Sequence, residues 1–301
     1  MDKNFGLDGQ SQELPASDTH ITVLSDWRQM SFAQRGPAQG RPVFVFHDLP
    51  GSRLQQHPDR SLASSRGMRL IHPDRPGFGM STPQLKRSFS DWVQDVRQLS
   101  ENLGIDTFGI AAIGAGAPYA LACAAALPER VSRVAIASTY APPEMLRGLG
   151  SWRLRTKLML SRRAPASLRA LLKKDSYRAN HDCDHYLHRW ERQLAACDIR
   201  LLDEVPGLRA QYEQDAREAF RQSTRGVRTE LTLLAYPWAI DFGAIRSPLH
   251  FWHGSEDRIV HPDSARHLVD ALSGAPLHIV QGAGHLVWYE YWTQMLDFLA
   301  A

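Results

Sequence analysis

Two residues late in the chain, Asp257 and His285, have side chains suited to proton transfer. Each follows an apolar run, LHFWHG or LHIV, that predicts a buried strand ending in a loop. An aspartate beside a histidine holds the imidazole in one tautomer and stabilises its protonated form, and the imidazole can accept a proton from water or a substrate. A lone histidine is usually structural, but the position of both residues at strand ends favours a catalytic dyad.

A glycine-rich turn with the sequence AIGAG, residues 112–116, follows a predicted strand over 108–113. A sharp strand-to-helix turn that presents a nucleophile needs small residues two positions before and after it, because backbone passes close to backbone. Ala112 and Gly116 meet that need, whereas Gly114 stands at the nucleophile position itself. We interpret Gly114 as a vacated nucleophile position, which excludes a serine acyl-enzyme there. The alternative is a packing glycine of the kind that nucleotide-binding turns use.

The loop HDLPG, residues 47–51, follows another apolar run, VFVF. Asp48 in this loop has three interpretations. Its charge would disfavour an anionic transition state, it would serve as a local base, or it points away from the site and caps a turn, which we favour. We expect His47 to shape the loop and border the substrate rather than to act as a catalytic group.

The elements that must position these residues alternate between apolar strands and helices. A strand pair is predicted before residue 36, and further strands at 43–46, 68–71 and along VSRVAIAST. Helical spacing extends from Asp91 to Leu103, and a final helix is predicted over 287–299. This alternation predicts an α/β fold with a parallel sheet and right-handed crossovers. Functional groups then gather at the carboxyl ends of the strands.

Strand patterns disappear between residues 142 and 236, where Arg, Leu, Ala and Gln dominate. We therefore predict a helical cap over 142–236, inserted into a core formed by 19–141 and 237–301. The polar residues 1–18 are expected to form a flexible N-terminal tail.

Composition bounds the classes of partner and the compartment. The chain has 301 residues and a formal charge of +3 without a long basic run, so nothing in it favours nucleic-acid binding. No apolar run is long enough for a signal peptide or a membrane span. Three cysteines without a CxxC pair indicate neither a disulfide framework nor a zinc ribbon. We expect a cytoplasmic protein that acts on a small molecule without a cofactor or metal, with a homodimer left open.

Aromatic residues near the predicted loops and cap are candidates for an apolar substrate pocket. They are Tyr140, Trp152, Trp238, Trp288 and Tyr289. His181 and His185 are four residues apart, which can place two imidazoles on one helical face, with His188 beyond them. A metal site is the sharper interpretation of these histidines, but the segment is rich in charge and a solvated cap helix is favoured.

From about residue 27 to its end, the chain resembles the α/β-hydrolase superfamily, in particular soluble bacterial members with an HGTPGSR-like loop. The resemblance rests on seven segments, VFVFHDLPGSR, RLIHPDRPGFGMS, GAGAPYALACAAALPERV, YPWAIDFGAI, HFWHGSEDRIV, GAGH and the run DTFGIAAIGAGAPYALA, which follows a DxFxVxGxSxGGPYALA pattern. These segments cover the chain widely and are specific for the fold.

The resemblance implies an eight-stranded, mostly parallel sheet with a helical cap between the sixth strand and the strand before Asp257. It implies esterase, lyase, dehalogenase or related chemistry, with oxyanion donors at the backbone N–H groups of Leu49 and Ala115. It also implies Asp257 as the acid and His285 as the base. The sequence departs from the family pattern at Gly114, Ala112 and Asp48. Glycine in the turn with a His-Asp pair is also similar to the N-myc downstream-regulated proteins, non-enzymatic members of the fold.

Three hypotheses for function follow, in order of preference. The first is an enzyme without a nucleophile, in which the His285–Asp257 dyad serves as general base for lyase, cyclase or water-mediated hydrolytic chemistry on a small apolar substrate, carbonyl compounds included. The second is a pseudoenzyme whose pocket binds a ligand or partner. The third is an ordinary esterase in which Gly114 is an engineered replacement of serine, an idea that the unusual Ala112 weakens.

Overall fold

A computed structural model describes residues 19–145 and 151–301. The predicted tail, residues 1–18, and residues 146–150 of the predicted cap lie outside the described residues. Within them the chain forms one sheet of eight strands: β1 (Thr19–Val23), β2 (Gln29–Arg35), β3 (Arg41–Phe46), β4 (Met68–Pro73), β5 (Phe108–Ile113), β6 (Val131–Ala137), β7 (Leu249–Gly254) and β8 (Leu277–Val280).

The sheet has the strand order β1-β2-β4-β3-β5-β6-β7-β8. β2 pairs antiparallel with β1 and β4, and all other neighbours are parallel. The central strands are apolar on both faces, and all six residues of β5 are buried, as expected for strands covered by helices on both sides. The predicted α/β-hydrolase fold with an eight-stranded, mostly parallel sheet is confirmed.

The helices of the described residues are α1 (Ser61–Ser64), α2 (Phe89–Asn102), α3 (Ala117–Ala126), α4 (Trp152–Arg163), α5 (Pro165–His181), α6 (Cys183–Glu191), α7 (Ala196–Glu204), α8 (Leu208–Ala219), α9 (Arg225–Ala235), α10 (Pro262–Ala271), α11 (Val287–Glu290) and α12 (Trp292–Ala300). Helices α4 to α9 all lie between β6 and β7 in the chain. No helix of the described residues is long and apolar enough to cross a membrane.

The C-terminal helical segment differs from the single helix predicted over 287–299. It is divided into α11 and α12 at Tyr291, whose φ of −104° and ψ of 10° depart from helical values. The division places the aromatic residues of α11 in a separate short helix directly after the loop that carries His285.

The register of the sheet brings the loops after β3, β5, β7 and β8 to one edge. Phe46 pairs with Ala112 near the ends of β3 and β5, and Gly254 pairs with Val280 at the ends of β7 and β8. Because parallel strands end together, the segments that follow them start close to one another. The chain therefore folds so that residues 47–51, 114–116, 255–257 and 281–285 surround one site.

Candidate active site

His285 and Asp257 form the hydrogen-bonded pair that their positions in the sequence suggest. Nδ1 of His285 lies 2.8 Å from Oδ2 of Asp257, and both residues are buried. The backbone N–H groups of Ile259 and Val260 donate to Oδ1 of Asp257 at 2.8 and 2.9 Å. Nε2 of His253 is 3.2 Å from Oδ2. The carboxylate is fixed from several sides, and it in turn fixes the imidazole.

Gly114 begins a one-turn 3₁₀ helix, Gly114–Gly116, directly after β5. Its φ of +52° lies in the left-handed region that favours glycine. Gly116 is needed because a Cβ atom at that position would lie 2.5 Å from the carbonyl oxygen of Phe46. The turn thus has the sharp geometry of a nucleophile-bearing turn, with no side chain at its tip.

The Asp48 side chain enters the space beside Gly114. Oδ1 of Asp48 accepts a hydrogen bond from the backbone N–H of Ala115 at 2.7 Å, and Oδ2 is 2.9 Å from Nε2 of His285. A Cβ atom at position 114 would lie 2.6 Å from Oδ2 and nearer still to the other carboxylate atoms. The favoured interpretation that Asp48 points away and caps a turn is wrong, because two donors and a side-chain-sized space draw the carboxylate inward.

The loop that carries Asp48 is held by its own polar groups and by Arg75. The backbone N–H of Asp48 donates to Oε1 of Gln55 at 2.6 Å. The guanidinium of Arg75 donates to the carbonyl oxygens of His47 and Asp48 at 2.5 and 3.1 Å. These bonds fix the backbone on both sides of Asp48, so the direction of its side chain is set before any substrate binds.

The two carboxylates determine the charge of His285. Burial alone would lower the pKa of this imidazole, but the charges and hydrogen bonds of Asp257 and Asp48 outweigh burial and raise it well above its usual value. Burial would raise the pKa of Asp257, and the neighbouring His285 and His253 reverse this and hold it below its usual value. Because each ring nitrogen of His285 faces a carboxyl oxygen, the geometry favours the form of the imidazole that has a proton on both nitrogens.

The two expected oxyanion donors differ in their surroundings. The N–H of Ala115 is occupied by Oδ1 of Asp48. Leu49 is half-buried in a loop with a cis peptide bond to Pro50, and both residues border two cavities at the site. A substrate oxyanion would therefore have to displace the Asp48 carboxylate to reach Ala115.

His47 lines neither of these two cavities, so its expected place beside the substrate stays a prediction. Its Nδ1 is 2.8 Å from the carbonyl oxygen of Asp48, and the N–H of Arg75 donates to its Nε2 at 3.4 Å. Burial, aided by the charge of Arg75, lowers the pKa of His47 well below its usual value, so the ring is neutral. It shapes the loop, as the sequence suggested.

Two cavities adjoin the site. The larger has a volume of about 430 Å³ and the smaller about 30 Å³. Tyr140 and Trp152 line the larger cavity and Trp288 the smaller. Trp238 and Tyr289 line neither cavity. The ring centroid of Trp238 is 5.9 Å from that of Phe89, and the ring of Tyr289 is tilted against that of Trp288 with 3.7 Å between centroids. The expected place of these two aromatic residues at a substrate pocket stays a prediction, because aromatic type alone does not distinguish core from cavity wall.

Four buried or nearly buried acidic residues of helices α7 to α9 bind the loops of the site, and sequence reasoning missed all of them. The acceptors and their partners are Asp198 with the N–H groups of His285 and Leu286, Asp215 with the hydroxyl of Ser52, Glu218 with Arg53, and Glu230 with Arg75, Arg87 and the hydroxyl of Tyr119. An acidic residue among apolar ones on a helical face, such as Glu230 before Leu231, was the available signal.

His181 does not face a metal-binding partner. Its ring stacks on Tyr177 with 4.5 Å between centroids, and its Nδ1 is 3.0 Å from the carbonyl oxygen of the same residue. Over residues 19–145 and 151–301, no group of three or more His, Cys, Asp or Glu side chains is arranged to hold a metal ion.

Comparison with known proteins agrees with this architecture. The pattern of a family described as alpha/beta hydrolase fold matches residues 41–290. The uncharacterized hydrolase YcgS of Bacillus subtilis (strain 168) is 23% identical over 89% of this chain and 92% of its own length. The 2-hydroxymuconate semialdehyde hydrolase of Pseudomonas putida is 26% identical over 85% and 83%.

Among solved structures, the enol-lactonase from Burkholderia xenovorans LB400 superposes with a TM-score of 0.69 at 20% identity, over 94% of this chain and 100% of that one. A likeness at this identity concerns the fold, whereas the family match extends over most of the sequence. The chain belongs to the alpha/beta hydrolase fold family.

Proposed function

We propose that the protein is a cofactor-independent enzyme that acts on a small apolar substrate without forming a serine acyl-enzyme. The observation that carries this proposal is the position of the Asp48 carboxylate, which bonds to both His285 Nε2 and the Ala115 N–H at the tip of the turn. A carboxylate there supplies the reactive group that Gly114 lacks. The adjoining 430 Å³ cavity gives room for a small substrate.

We assign the two proton-transfer roles differently from the sequence hypothesis, which gave the base role to His285, because both nitrogens of His285 face carboxyl oxygens. An imidazolium has no free lone pair, so the Asp48 carboxylate is the base and takes the proton of an attacking water or of a substrate C–H bond. His285 then donates its Nε2 proton to the leaving group or product, and Asp48 returns its own proton to His285. Asp257 stabilises the imidazolium throughout.

Water is the favoured nucleophile. Gly114 provides no side-chain nucleophile at the tip of the turn, and the Asp48 carboxylate is placed to activate a water molecule instead. Two relatives bear hydrolase names, which favours water-mediated hydrolysis over lyase or cyclase chemistry.

The free state of Cys123, Cys183 and Cys197 supports the proposed cytoplasmic location.

A non-catalytic role is the second candidate, and the occupied Ala115 donor favours it, since that N–H group is not free to stabilise a reacting oxygen. The engineered-esterase hypothesis has less support. A serine at position 114 would clash with Asp48, so Gly114 and Asp48 fit one another as a pair. A simple exchange of serine for glycine would leave no reason for an aspartate in the facing loop.

The test compares the natural chain with Asp48→Asn and with the double variant Asp48→Gly/Gly114→Ser. Hydrolysis of p-nitrophenyl acetate, p-nitrophenyl butyrate and γ-valerolactone would be measured, together with covalent labelling by a fluorophosphonate. We expect no labelling of the natural chain, a loss of its hydrolysis in Asp48→Asn, and labelling in the double variant. Asp48→Gly/Gly114→Ala is the matched control, because it has the same space but no hydroxyl.

The outcomes separate the candidates. Hydrolysis by the natural chain that survives in Asp48→Asn contradicts the role given to Asp48. Labelling of the natural chain contradicts the absence of a serine-type nucleophile. If only the double variant reacts with any of the probes, the result supports the non-catalytic role over the enzymatic one.

A further inference from the structure

The 430 Å³ cavity has walls of two kinds. The wall on the side of the strand-end loops contains Leu49, Pro50, Tyr140 and Ile259, none of which is charged. The rest of the wall belongs to residues 151–231, and every charged side chain that borders the cavity in the described part of the chain lies there. These charged residues are Arg153 and Lys157 of α4, Asp175 of α5 and Arg189 of α6. Three cations thus line the described wall with one carboxylate, and the other lining residues are uncharged.

The Asp175 carboxylate does not balance all three cations. Its Oδ2 is 3.5 Å from Nζ of Lys157, and its Oδ1 is 4.0 Å from the guanidinium of Arg178, one turn further along α5. Over residues 19–145 and 151–301, neither Arg153 nor Arg189 has a carboxylate within 4 Å. Two guanidinium groups at the cavity are therefore without a counter-charge from the described part of the protein.

The stability of the protein alone does not explain these two arginines. Arg153 is the second residue of α4, where the positive end of the helix dipole disfavours a cation. Burial, followed by the charges of Arg189 and Arg192, lowers the pKa of Arg153, and the carboxylate of Asp175 opposes this only in part. The side chains of Arg153 and Arg189 are nevertheless half-buried rather than fully exposed to solvent. A bound anion would offset their mutual repulsion, whereas an uncharged ligand would not.

The 30 Å³ cavity has the opposite charge. Its lining contains Asp48, Asp215 and His285. His285 lies between Asp48 and Asp257, so a proton on both of its ring nitrogens balances only one of these two carboxylates. Burial raises the pKa of Asp215 to about 8, which leaves this carboxyl group mostly uncharged at pH 7. One unmatched negative charge therefore remains at this end.

The two cavities adjoin, because four residues line both of them. These residues are Leu49, Pro50, Tyr186 and Trp190. An anionic group is repelled by Asp48 and attracted by Arg153 and Arg189, so a ligand places this group among the helices between β6 and β7. The uncharged remainder of the ligand then extends towards Asp48. The charges of the two cavities thus set the orientation of a ligand.

The chemistry of the anion follows from the same groups. A planar guanidinium donates two parallel hydrogen bonds to a carboxylate or a phosphate. Asp175 lines the cavity as well, and it repels a doubly charged phosphate more strongly than a singly charged carboxylate. Apolar walls from Leu160, Leu171 and Leu231 favour a ligand with an apolar body. A small amphiphilic carboxylate fits these conditions best.

We propose that the 430 Å³ cavity is a binding site for a small amphiphilic carboxylate, whose anionic group pairs with Arg153 and Arg189 and whose apolar body extends towards Asp48. The binding site stands on the cavity and its charges alone. The further statement that this carboxylate is the substrate, with its uncharged end at Asp48, rests on the proposed function.

The test measures dissociation constants of 4-phenylbutanoate and 4-phenylbutanamide, which have similar shapes but differ in charge, by ligand-observed NMR at pH 7. The natural chain should bind the carboxylate more tightly than the amide. Arg153→Gln and Arg189→Gln should each weaken carboxylate binding about tenfold, the effect of about one charge-assisted hydrogen bond, and leave amide binding unchanged. Arg169→Gln is the matched control, because it removes the same charge from an exposed residue of α5 outside both cavities. It should change neither constant.

Three results would overturn the site. Equal weakening by Arg169→Gln and by the two cavity variants would show that the net charge of these helices attracts the ligand without a defined site. Equal affinity of the natural chain for the carboxylate and the amide, or no binding of either, would show that the arginines do not bind the anion. Tighter binding of 3-phenylpropyl phosphate than of 4-phenylbutanoate would overturn the choice of a carboxylate.

Binding is measured without turnover, so the site and the catalytic proposal fail separately. Carboxylate selectivity that depends on Arg153, together with a natural rate of hydrolysis in Asp48→Asn, would remove only the catalytic role of Asp48. Loss of hydrolysis in Asp48→Asn without carboxylate selectivity in the natural chain would remove only the binding site.

Discussion

The carboxylate of Asp48 occupies the volume that a side chain at position 114 would fill. The two residues are on different loops, after β3 and β5, and meet because those strands are neighbours in the sheet. Glycine at 114 and aspartate at 48 are thus linked by packing, and each restricts what the other can be. The site has exchanged a group on the turn for a group that reaches the same place from the facing loop.

This packing predicts that Gly114→Ala destabilises the fold. The new methyl group overlaps Asp48, and overpacking of a filled site costs roughly 1–3 kcal/mol beyond the cost of a positive φ. Gly67→Ala measures that backbone cost alone, because Gly67 has a φ of +59° and no neighbour within 4 Å of an added Cβ. Urea unfolding of both variants provides the comparison.

The same exchange in an Asp48→Gly background gives the decisive control. With the carboxylate absent, the extra cost of Gly114→Ala over Gly67→Ala should largely disappear. An extra cost of equal size with and without Asp48 would mean that the two residues do not compete for one space.

A second prediction concerns the charge of His285. Asp48→Asn keeps the shape of the side chain but removes a negative charge 2.9 Å from Nε2, so the raised pKa of His285 should fall. The titration is measured by NMR of the labelled histidine side chains. Asp59→Asn is the control, because this exposed carboxylate bonds to Ser61 away from the site.

The stability of the protein should follow the same titration. Folding raises the pKa of His285, so the contribution of this residue to the free energy of unfolding is complete below about pH 6.5. The contribution is lost as the pH rises through the pKa that His285 has in the folded protein. Asp48→Asn should move this loss to lower pH. A His285 titration that is the same in Asp48→Asn and the natural chain would show that Asp48 does not stabilise the imidazolium.

The positions of Gly114, Asp257 and His285 could be predicted because each depends on local patterns, an apolar strand followed by a loop. The sheet and its parallel order followed from the same alternation. The direction of the Asp48 side chain could not be predicted, because a loop residue has the same sequence pattern whether its side chain points toward the site or away from it. Only the empty space above Gly114 and the donors around it select one.

The partners of the acidic residues on α7 to α9 could not be predicted from the sequence for a different reason. Asp198 and His285 are 87 residues apart, and Arg75 and Glu230 are 155 apart. Which helical turn meets which loop depends on how the helices between β6 and β7 pack on the sheet, and no local spacing encodes that.

A third prediction concerns Asp215. Its pKa is raised to about 8 in the folded protein, so between pH 5 and pH 7 the unfolded chain ionises this group and the folded chain does not. Stability therefore falls with rising pH, by up to about 1.4 kcal/mol per pH unit for one group. Asp215→Asn removes the ionisable group. Its free energy of unfolding relative to that of the natural chain should therefore rise with pH, by up to about 1.4 kcal/mol per pH unit.

Urea unfolding at pH 5, 6 and 7 measures this difference. The asparagine Oδ1 can still accept the hydrogen bond that Ser52 donates to Oδ1 of Asp215, so the local structure should persist. Asp263→Asn removes a half-exposed carboxylate and is the control. A stability difference between Asp215→Asn and the natural chain that does not change with pH would place the Asp215 pKa near its ordinary value.

The last prediction concerns Glu230, which joins α9 to the loops of the site. Its carboxylate bonds to Arg75 and Arg87 at 2.6 Å each, and all three side chains are fully buried. Glu230→Gln leaves two buried guanidinium groups without a counter-charge, and breaking a buried pair in this way costs roughly 3–5 kcal/mol. Asp297→Asn is the control, since its ion pair with Arg66 is exposed and should contribute at most about 1 kcal/mol. Denaturation midpoints compare the two variants, and similar small losses in both would mean that Glu230 contributes no more stability than a surface ion pair.

Arg75 also donates to the carbonyl of Asp48. A large loss of stability specific to Glu230→Gln should therefore be accompanied by a lower pKa of His285, because the Asp48 carboxylate loses its fixed position.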